Sequence, residues 1–237
     1  MKKNFKNLEK EGLNYIRNIS PTWFFLDTGI NDGIFNMSCD NFLLDSALNN
    51  SIKLPLVRVY GWIKPTVSLG ANQLLTKSVQ KIPIVKRITG GQAVSHGLPD
   101  NELTYSVVMR YGYKVKQLYF GIGEILLTFL NLYSLKGDFG YSSNNYFKSF
   151  DCFDSKTEAD IVVNDIKVIG NAQCRRKEFV LQHGSIKLDI IRKLSGKNIN
   201  FQNAKVELKN AFQSKLKIKF IDYHLTCPLN IPCEHSN

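Results

Sequence analysis

Apolar residues recur at two different spacings along this chain, and the spacing separates predicted helices from predicted strands. In three windows the apolar positions return every three or four residues, which predicts amphipathic helices over 36–48, 115–133 and 203–215. The second window is the longest. Gly121 and Gly123 weaken its middle, because glycine is a poor helix former.

Shorter stretches rich in β-branched residues lie between turn residues and predict strands. They cover 57–60, 66–69, 82–88, 103–109, 160–163, 166–168, 180–182 and 185–190. Asn164 and Asp165 form a two-residue link that tolerates positive φ, which predicts a hairpin. His183 and Gly184 are predicted to connect the last two strands. No regular βαβ repeat is present, so we expect an α/β fold of the α+β type, with a mixed, largely antiparallel sheet and packed helices.

The chain has 237 residues, 43% of them hydrophobic, which is enough to build one full core. We therefore expect a single domain over 1–222, followed by an irregular tail over 223–237. The longest apolar stretch, 119–133, contains Glu124 and is too short to cross a bilayer. The basic N-terminus is not followed by an apolar run, so we expect no secretory signal and no membrane partner.

Basic residues outnumber acidic ones by 31 to 20, which gives a formal net charge of +11. Such an excess favours an acidic partner through long-range steering. Nucleic acid and acidic carrier proteins both fit that description. Nucleic acid is disfavoured, because the basic residues are scattered and no zinc-finger spacing or aromatic RNA-binding signature is present.

The cysteines are five in number and contain no Cys-x-x-Cys pair, so neither a disulfide framework nor a structural zinc site is predicted. Cys227, Cys233 and His235 lie close together, but a metal there would need a fourth ligand, and we predict a loose tail without metal. Free thiols indicate a reducing, cytoplasmic compartment.

Two groups of residues are candidates for chemistry. Gly90 and Gly91 allow a ligand to approach the backbone closely, and Arg87 before them could pair with a carboxylate or phosphate. Cys152 is a thiol that could hold an acyl group as a thioester, and Lys167 could stabilise its thiolate or polarise the carbonyl under attack. Taken singly, each of these residues is more often structural. Asp160 is expected to be a solvated strand-edge residue.

The ordered combination of motifs is more specific than any one of them. It consists of WFFLDTG at 23–29, NMSCD at 36–40, RVYGW at 58–62, PTVSLG at 65–70, RITGGQAVSH at 87–96, ELTYS at 102–106, CF at 152–153, KVIGNAQ at 167–173 and QHGS at 182–185. This series resembles the lipoate–protein ligase and octanoyltransferase superfamily, and most of all its octanoyltransferases whose cysteine precedes the lysine motif. The resemblance implies a catalytic domain of the class II aminoacyl-tRNA synthetase and biotin–lipoate ligase type.

The resemblance also implies an activity and a site. An octanoyl group would pass from acyl carrier protein through a Cys152 thioester to a lysine of a lipoyl domain, such as that of the glycine-cleavage H protein. Lys167 would assist, no cofactor would be needed, and the enzyme would be a monomer. The implied substrate-binding residues are Arg87, Thr89, Gly90, Gly91, Ala93, His96, Gly170, Asn171, Ala172, His183 and Gly184.

The chain departs from the family pattern at Asn41, where an acidic residue is common, and at Asn171, where a small hydroxyl residue is expected. The segment 96–103 is also slightly longer than usual. Three alternatives stay open: an ATP- and Mg-dependent lipoate ligase, an amidotransferase between lipoyl domains, and a binding module for a carrier protein or acyl group.

Overall fold

The computed structural model describes residues 2–74, 82–112, 115–140, 153 and 156–225, with the backbone alone for residues 2–5. Its helices are α1 (Lys2–Ile19), α2 (Gly33–Leu48), α3 (Val115–Leu132), α4 (Leu188–Ser195) and α5 (Phe201–Leu216). Its strands are β1 (Thr22–Asn31), β2 (Leu56–Trp62), β3 (Thr66–Leu69), β4 (Ile84–Lys86), β5 (Val94–His96), β6 (Glu102–Arg110), β7 (Asp138–Phe139), β8 (Ile161–Val163), β9 (Ile166–Arg176), β10 (Phe179–Lys187) and β11 (Lys219–Asp222).

Within the described residues, eight strands form a large sheet in the order β11-β1-β2-β6-β10-β9-β8-β7, and three form a small sheet in the order β4-β3-β5. In the large sheet β11 and β2 run parallel to β1, whereas the other neighbouring pairs are antiparallel. In the small sheet β4 is parallel and β5 antiparallel to β3. The predicted mixed, largely antiparallel sheet is confirmed.

Helices cover the large sheet on both faces. On one face α1, α3 and α5 contact one another and share a core that includes Trp23, Phe129 and Phe212. On the other face α2 packs on β6 and β10 through a second core that includes Leu43 and Leu44. The small sheet lies on this second face, where α2 also contacts β4. A space is therefore left between the centre of the large sheet and the small sheet.

Most predicted elements are present, with two differences. The hairpin between β8 and β9 is confirmed, with φ of 48° at Asn164 and 62° at Asp165. The predicted break at His183 and Gly184 is wrong: β10 continues through both residues, and helix α4 begins at Leu188. The strand expected over 82–88 is shorter, because its end leaves the sheet to form the glycine loop.

The spacing of apolar residues did not predict helix α1 or strand β1. Among the described residues, no helix has the length and apolar character needed to cross a membrane. The predicted tail lies outside the described residues from position 226 onward, so the expectation for Cys227, Cys233 and His235 stays a prediction.

Candidate active site

A small cavity of about 50 Å³ lies between the centre of the large sheet and the small sheet. Apolar side chains, among them Met37, Tyr60, Trp62 and Val94, form part of its wall. We call it the sheet cavity. Its remaining lining is Ser68, Arg87, Gly91, His96, Thr104, Gly170, Asn171, Ala172, His183, Gly184 and Ser185.

Arg87 organises the glycine loop from the inside. Its Nη2 donates to the carbonyl oxygens of Gly90 (2.9 Å) and Gln92 (2.6 Å), and its Nη1 donates to the Ser68 carbonyl at 2.7 Å. Its Nε donates to Thr89 Oγ1 at 3.1 Å. The guanidinium therefore holds the loop in shape, and direct pairing of Arg87 with a bound carboxylate or phosphate stays a prediction.

A buried hydrogen-bond network centred on Asp40 reaches the glycine loop at Thr89 and supports it. Asp40 accepts hydrogen bonds from Arg58 (2.7 Å), Ser106 (2.9 Å) and Tyr60 (3.1 Å). Burial alone would raise the pKa of Asp40, but Arg58 and His183 hold it below its usual value. His183 Nδ1 lies 2.9 Å from Asp40 Oδ2 and donates to it, because an ionised carboxylate can only accept. The Nε2 atom of the same ring contacts Thr89 Oγ1 at 2.7 Å.

A second buried network is centred on Glu102. Its carboxylate accepts from His96 Nδ1 (2.6 Å), Ser185 (2.6 Å) and Lys187 (2.7 Å). Burial alone would raise the pKa of Glu102, but Lys187 and His96 hold it well below the usual value. Burial also lowers the pKa of His96, which lies stacked on Trp62 with ring centroids 3.7 Å apart. The two networks fix His183 and His96 as neighbours of the sheet cavity.

Lys167 is buried in strand β9 and forms an ion pair with Asp160, Nζ to Oδ2 at 2.9 Å. The expectation that Asp160 is solvated is wrong, since only 1% of the residue is exposed. A Cβ atom added to Gly170 would lie 3.1 Å from Lys167 Cε and 3.4 Å from the Phe153 ring. Gly170 therefore lets Lys167 and Phe153 approach the wall of the sheet cavity closely.

Phe153 contacts two ammonium groups. Its ring centroid is 5.0 Å from Lys167 Nζ and 4.7 Å from Lys187 Nζ, both within the range of cation–π contacts. Phe153 directly follows Cys152 in the sequence. Cys152 itself lies outside the described residues, so its contact with Lys167 stays a prediction.

The sequence-predicted binding residues fall into three groups. Eight line the sheet cavity, namely Arg87, Gly91, His96, Gly170, Asn171, Ala172, His183 and Gly184. Gly90 lines a neighbouring cavity. Thr89 and Ala93 are fully buried: Thr89 bonds to Arg87 and His183, and Ala93 packs in the small sheet's own core with Val67 and Leu69. Thr89 and Ala93 thus lie behind the wall of the cavity.

Sequence reasoning assigned no role to Asp40, Arg58, Glu102 or Asp160, although each holds part of the site. The available signal was a charged residue inside or beside an apolar strand, as with Arg58 in β2. Charged residues are almost never fully buried unless paired. The pairing partners are distant in sequence, however, so the signal indicates a network without naming its members.

Comparison with known proteins agrees with this geometry. Residues 32–230 match the model of the lipoyl protein ligase A/B catalytic domain family. The chain belongs to this family. Among similar curated members is Octanoyltransferase LipM of Geobacillus kaustophilus, 33% identical in an alignment of 214 positions that covers 81% of this chain and 76% of the relative.

Two further relatives have the same name. Octanoyltransferase LipM of Carboxydothermus hydrogenoformans is 35% identical over 71% of this chain and 66% of its own length. That of Halalkalibacterium halodurans is 30% identical over 86% of this chain and 91% of its own length. The family predicted from the motifs is therefore confirmed, and these relatives support an acyltransferase activity.

Solved structures of the family show the same fold. A T. acidophilum protein assigned as a lipoate protein ligase, with bound lipoic acid, superposes with a TM-score of 0.66 at 21% identity, over 87% of this chain and 90% of that one. Lipoate-protein ligase A bound with ATP gives a TM-score of 0.62 at 21% identity, again over 87% and 90%. The predicted lipoate ligase type of fold is thereby confirmed.

Proposed function

We propose that this protein is an octanoyltransferase that moves an octanoyl group from acyl carrier protein, through a thioester at Cys152, to a lysine of a lipoyl domain. The observation that carries the proposal is the buried Lys167 ammonium, held by Asp160 beside Gly170 at the cavity wall. Phe153, the residue after Cys152, contacts that same ammonium. The names of the curated relatives support the same activity.

The proposed acylation step uses the thiolate of Cys152. Sulfur attacks the carbonyl carbon of the octanoyl thioester, and the carbonyl electrons move to oxygen. The donor thiolate then leaves and takes up a proton. Lys167 and Lys187 place positive charge beside Phe153, and such charge favours a thiolate and a developing oxyanion. The neutral amine of the acceptor lysine then attacks the acyl-enzyme, loses a proton and releases Cys152 as an amide forms.

The apolar lining of the sheet cavity suits an acyl chain. Met37, Tyr60 and Trp62 form an apolar cluster that lines it. Burying the methylene groups of an octanoyl chain there would contribute about 5 kcal/mol at ~0.8 kcal/mol per CH₂. Since no step of this transfer needs ATP or a metal, we propose that the enzyme works without a cofactor. A monomeric state and a cytoplasmic location stay predictions.

The family resemblance also implies that Gly90-Gly91 and Gly170-Asn171 present backbone donors to the reacting carbonyl. The Asn171 N–H points to Asp160 Oδ1 at 3.4 Å instead, a long hydrogen bond. We therefore propose the Lys167 ammonium, rather than this amide, as the main oxyanion donor.

Intact-mass measurement tests the proposal. The parent protein, incubated with octanoyl-acyl carrier protein, is expected to gain the mass of one octanoyl group as a thioester labile to hydroxylamine. Cys152→Ser is expected to gain no such adduct, whereas Cys174→Ser, which changes a half-buried thiol in the described part of the chain, keeps it. An unchanged adduct on Cys152→Ser would contradict the formation of an acyl-enzyme at Cys152. Activity that strictly requires ATP and free lipoate would select a ligase, and transfer only from an octanoylated lipoyl domain would select an amidotransferase.

A further inference from the structure

A groove with a volume of about 380 Å³ lies beside the start of helix α4. Asp189 and Ile190 of α4 line it, together with Asn101 and Phe153. We call it the α4 groove. Its volume falls in the usual range for small-ligand sites. No role in the transfer has so far been given to this groove or to Asp189.

The α4 groove lies next to the residues that the proposed transfer uses. His96 lines both the groove and the sheet cavity, so the two spaces are neighbours. Phe153 also lines the groove, and it directly follows the proposed nucleophile Cys152 in the sequence. The Phe153 ring is the same one that contacts Lys167 Nζ. A ligand in the groove would therefore lie close to the proposed reaction centre.

The charges that line the α4 groove do not cancel. Glu102 accepts a hydrogen bond from Lys187 Nζ at 2.7 Å, so this anion and this cation compensate each other. His96 adds little charge at pH 7, because burial lowers its pKa below the ordinary value. Asp189 is exposed and has no ion pair or hydrogen bond with another described residue. The described lining of the groove therefore has one uncompensated negative charge, on a chain whose net charge is +11.

The basic residues that follow Asp189 in α4 do not pair with it. Arg192 Nη1 donates to the carbonyl oxygen of Asp100 at 2.6 Å, and its Nη2 donates to Asn101 Oδ1 at 3.0 Å. Lys193 lies one turn after Asp189, is exposed and forms no ion pair with a described residue. The Asp189 carboxylate can therefore accept hydrogen bonds from a ligand.

We propose that the α4 groove receives the side chain of the acceptor lysine and that Asp189 positions its ammonium group before transfer. This inference rests on the proposed octanoyl transfer. A lysine side chain has a compact cationic head with three donors on an apolar stem of four carbons. The carboxylate of Asp189 matches the head, and Ile190 and the Phe153 ring offer apolar surface to the stem.

Other occupants match the groove less well. An anionic ligand would meet the uncompensated charge of Asp189. An acyl chain would cover that carboxylate without pairing it, which is costly. The amine must leave the carboxylate as it loses its proton and attacks the acyl group, so Asp189 is a positioning residue and takes no part in the bond changes.

The KM for a lipoyl domain tests this role. Asp189→Asn is expected to raise that KM by about two- to fivefold, the effect of one partly exposed charge pair, and to leave kcat within about twofold. Asp189→Glu should restore a KM near that of the parent. Long-range steering predicts the opposite sign, because loss of a carboxylate makes a basic protein more attractive to an acidic domain. The matched control is Asp100→Asn, a nearby exposed carboxylate outside the groove lining, which should not raise KM.

Two further rates separate positioning from a general effect on the site. Acyl-enzyme formation from octanoyl-acyl carrier protein, followed by intact mass, should be equally fast in the parent and in Asp189→Asn, because the acceptor takes no part in it. Hydroxylamine is a small nucleophile that is neutral at pH 7. It should release the octanoyl group from both acyl-enzymes at the same rate, because a neutral amine gains nothing from the carboxylate.

An unchanged or lower KM in Asp189→Asn would overturn the proposal, and so would an equal slowing of acylation or of release by hydroxylamine. If Asp189→Asn fails to fold, Asp189→Ser replaces it, and the same rise in KM is required. A parent protein that forms no octanoyl adduct would instead contradict the proposed function itself.

Discussion

Lys167 shows how the meaning of a residue changes once its neighbours are known. A lysine early in a β-strand is ordinarily solvated, yet this ammonium is buried and paired with Asp160. Removing one member of a buried pair leaves an uncompensated charge, whereas replacing both members by apolar or neutral groups costs far less. The structural role and the proposed catalytic role of Lys167 can therefore be separated.

A double-mutant cycle on this pair makes the separation measurable. Lys167→Met and Asp160→Asn are each expected to lower the free energy of unfolding by about 3–5 kcal/mol, while the double variant regains most of that loss. Transfer activity should stay reduced by about 100- to 1,000-fold in the double variant, because the oxyanion donor is still absent.

Urea unfolding and thiol-release kinetics on the same samples provide the two readouts. Lys209→Met is the control, since its pair with Asp222 is partly exposed and contributes less than about 1 kcal/mol. A double variant that recovers activity along with stability would contradict a catalytic role for Lys167.

Glu102 makes stability depend on pH in a predictable direction. Its pKa in the folded protein lies below the ordinary value of 4.5, so the unfolded chain binds a proton first as the pH falls. The stabilisation by the ionised carboxylate is fully present above pH 4.5 and is lost progressively below it. Glu102→Gln is therefore expected to have a lower free energy of unfolding than the parent at pH 7. The difference in free energy of unfolding between the two proteins, the stability gap, should narrow as the pH falls below 4.5.

Urea unfolding at a series of pH values from 7 to 3 measures this gap. Asp100→Asn, an exposed change two residues earlier, is the control and should follow the parent throughout. A gap that stays constant or widens on acidification would show that Glu102 is not held as an ionised carboxylate.

At the scale of elements, the glycines of α3 were misread from the sequence. Gly121 and Gly123 were expected only to weaken the helix, because propensity is all that a single sequence shows. In the structure Gly121 lies against the backbone of Gly12 in α1, and Gly123 lies under the ring of Phe139. These glycines let α1 and β7 pack closely on α3, so their role is in tertiary packing.

Gly121→Ala provides a test in which two effects oppose each other. A Cβ atom there would lie 2.6 Å from Gly12 C and 2.7 Å from Ile16 Cδ1. Helix propensity would favour alanine by about 1 kcal/mol, but overpacking costs about 1–3 kcal/mol. We expect a net loss of stability in thermal unfolding. The control is Asn210→Ala on the exposed side of α5, which should raise the stability of the protein slightly. If Gly121→Ala also raised the stability, the two helices would be able to separate at little cost.

Local chemistry was readable from the sequence, and long-range pairing was not. Asn164 and Asp165 predicted their hairpin, because the turn depends on those two residues alone. Gly184 was misread as a turn because the reason for a glycine there is remote: a side chain would collide with Tyr105 and Asn171. The motifs named most residues around the sheet cavity. The buried partners Asp40, Glu102 and Asp160 became visible only through the sheet that joins them.

For the molecule as a whole, the net charge of +11 predicts how the proposed donor protein is recognised. Electrostatic steering raises association rates with an acidic partner and is screened by salt. Transfer from octanoyl-acyl carrier protein should therefore show a kcat/KM that falls by about tenfold between roughly 0.01 M and 0.15 M salt, as the Debye length shortens from about 30 Å to about 8 Å.

An uncharged octanoyl thioester of a small thiol separates this effect from any action of salt on the active site. Its kcat/KM should stay within about twofold over the same range, because a neutral donor is not steered by the protein's field. The measurement uses one protein, one lipoyl domain kept at saturation and two donors. Equal salt dependence with both donors would place the effect in the chemistry or in the acceptor. A flat profile with both would show that the excess of basic residues does not serve to attract the donor.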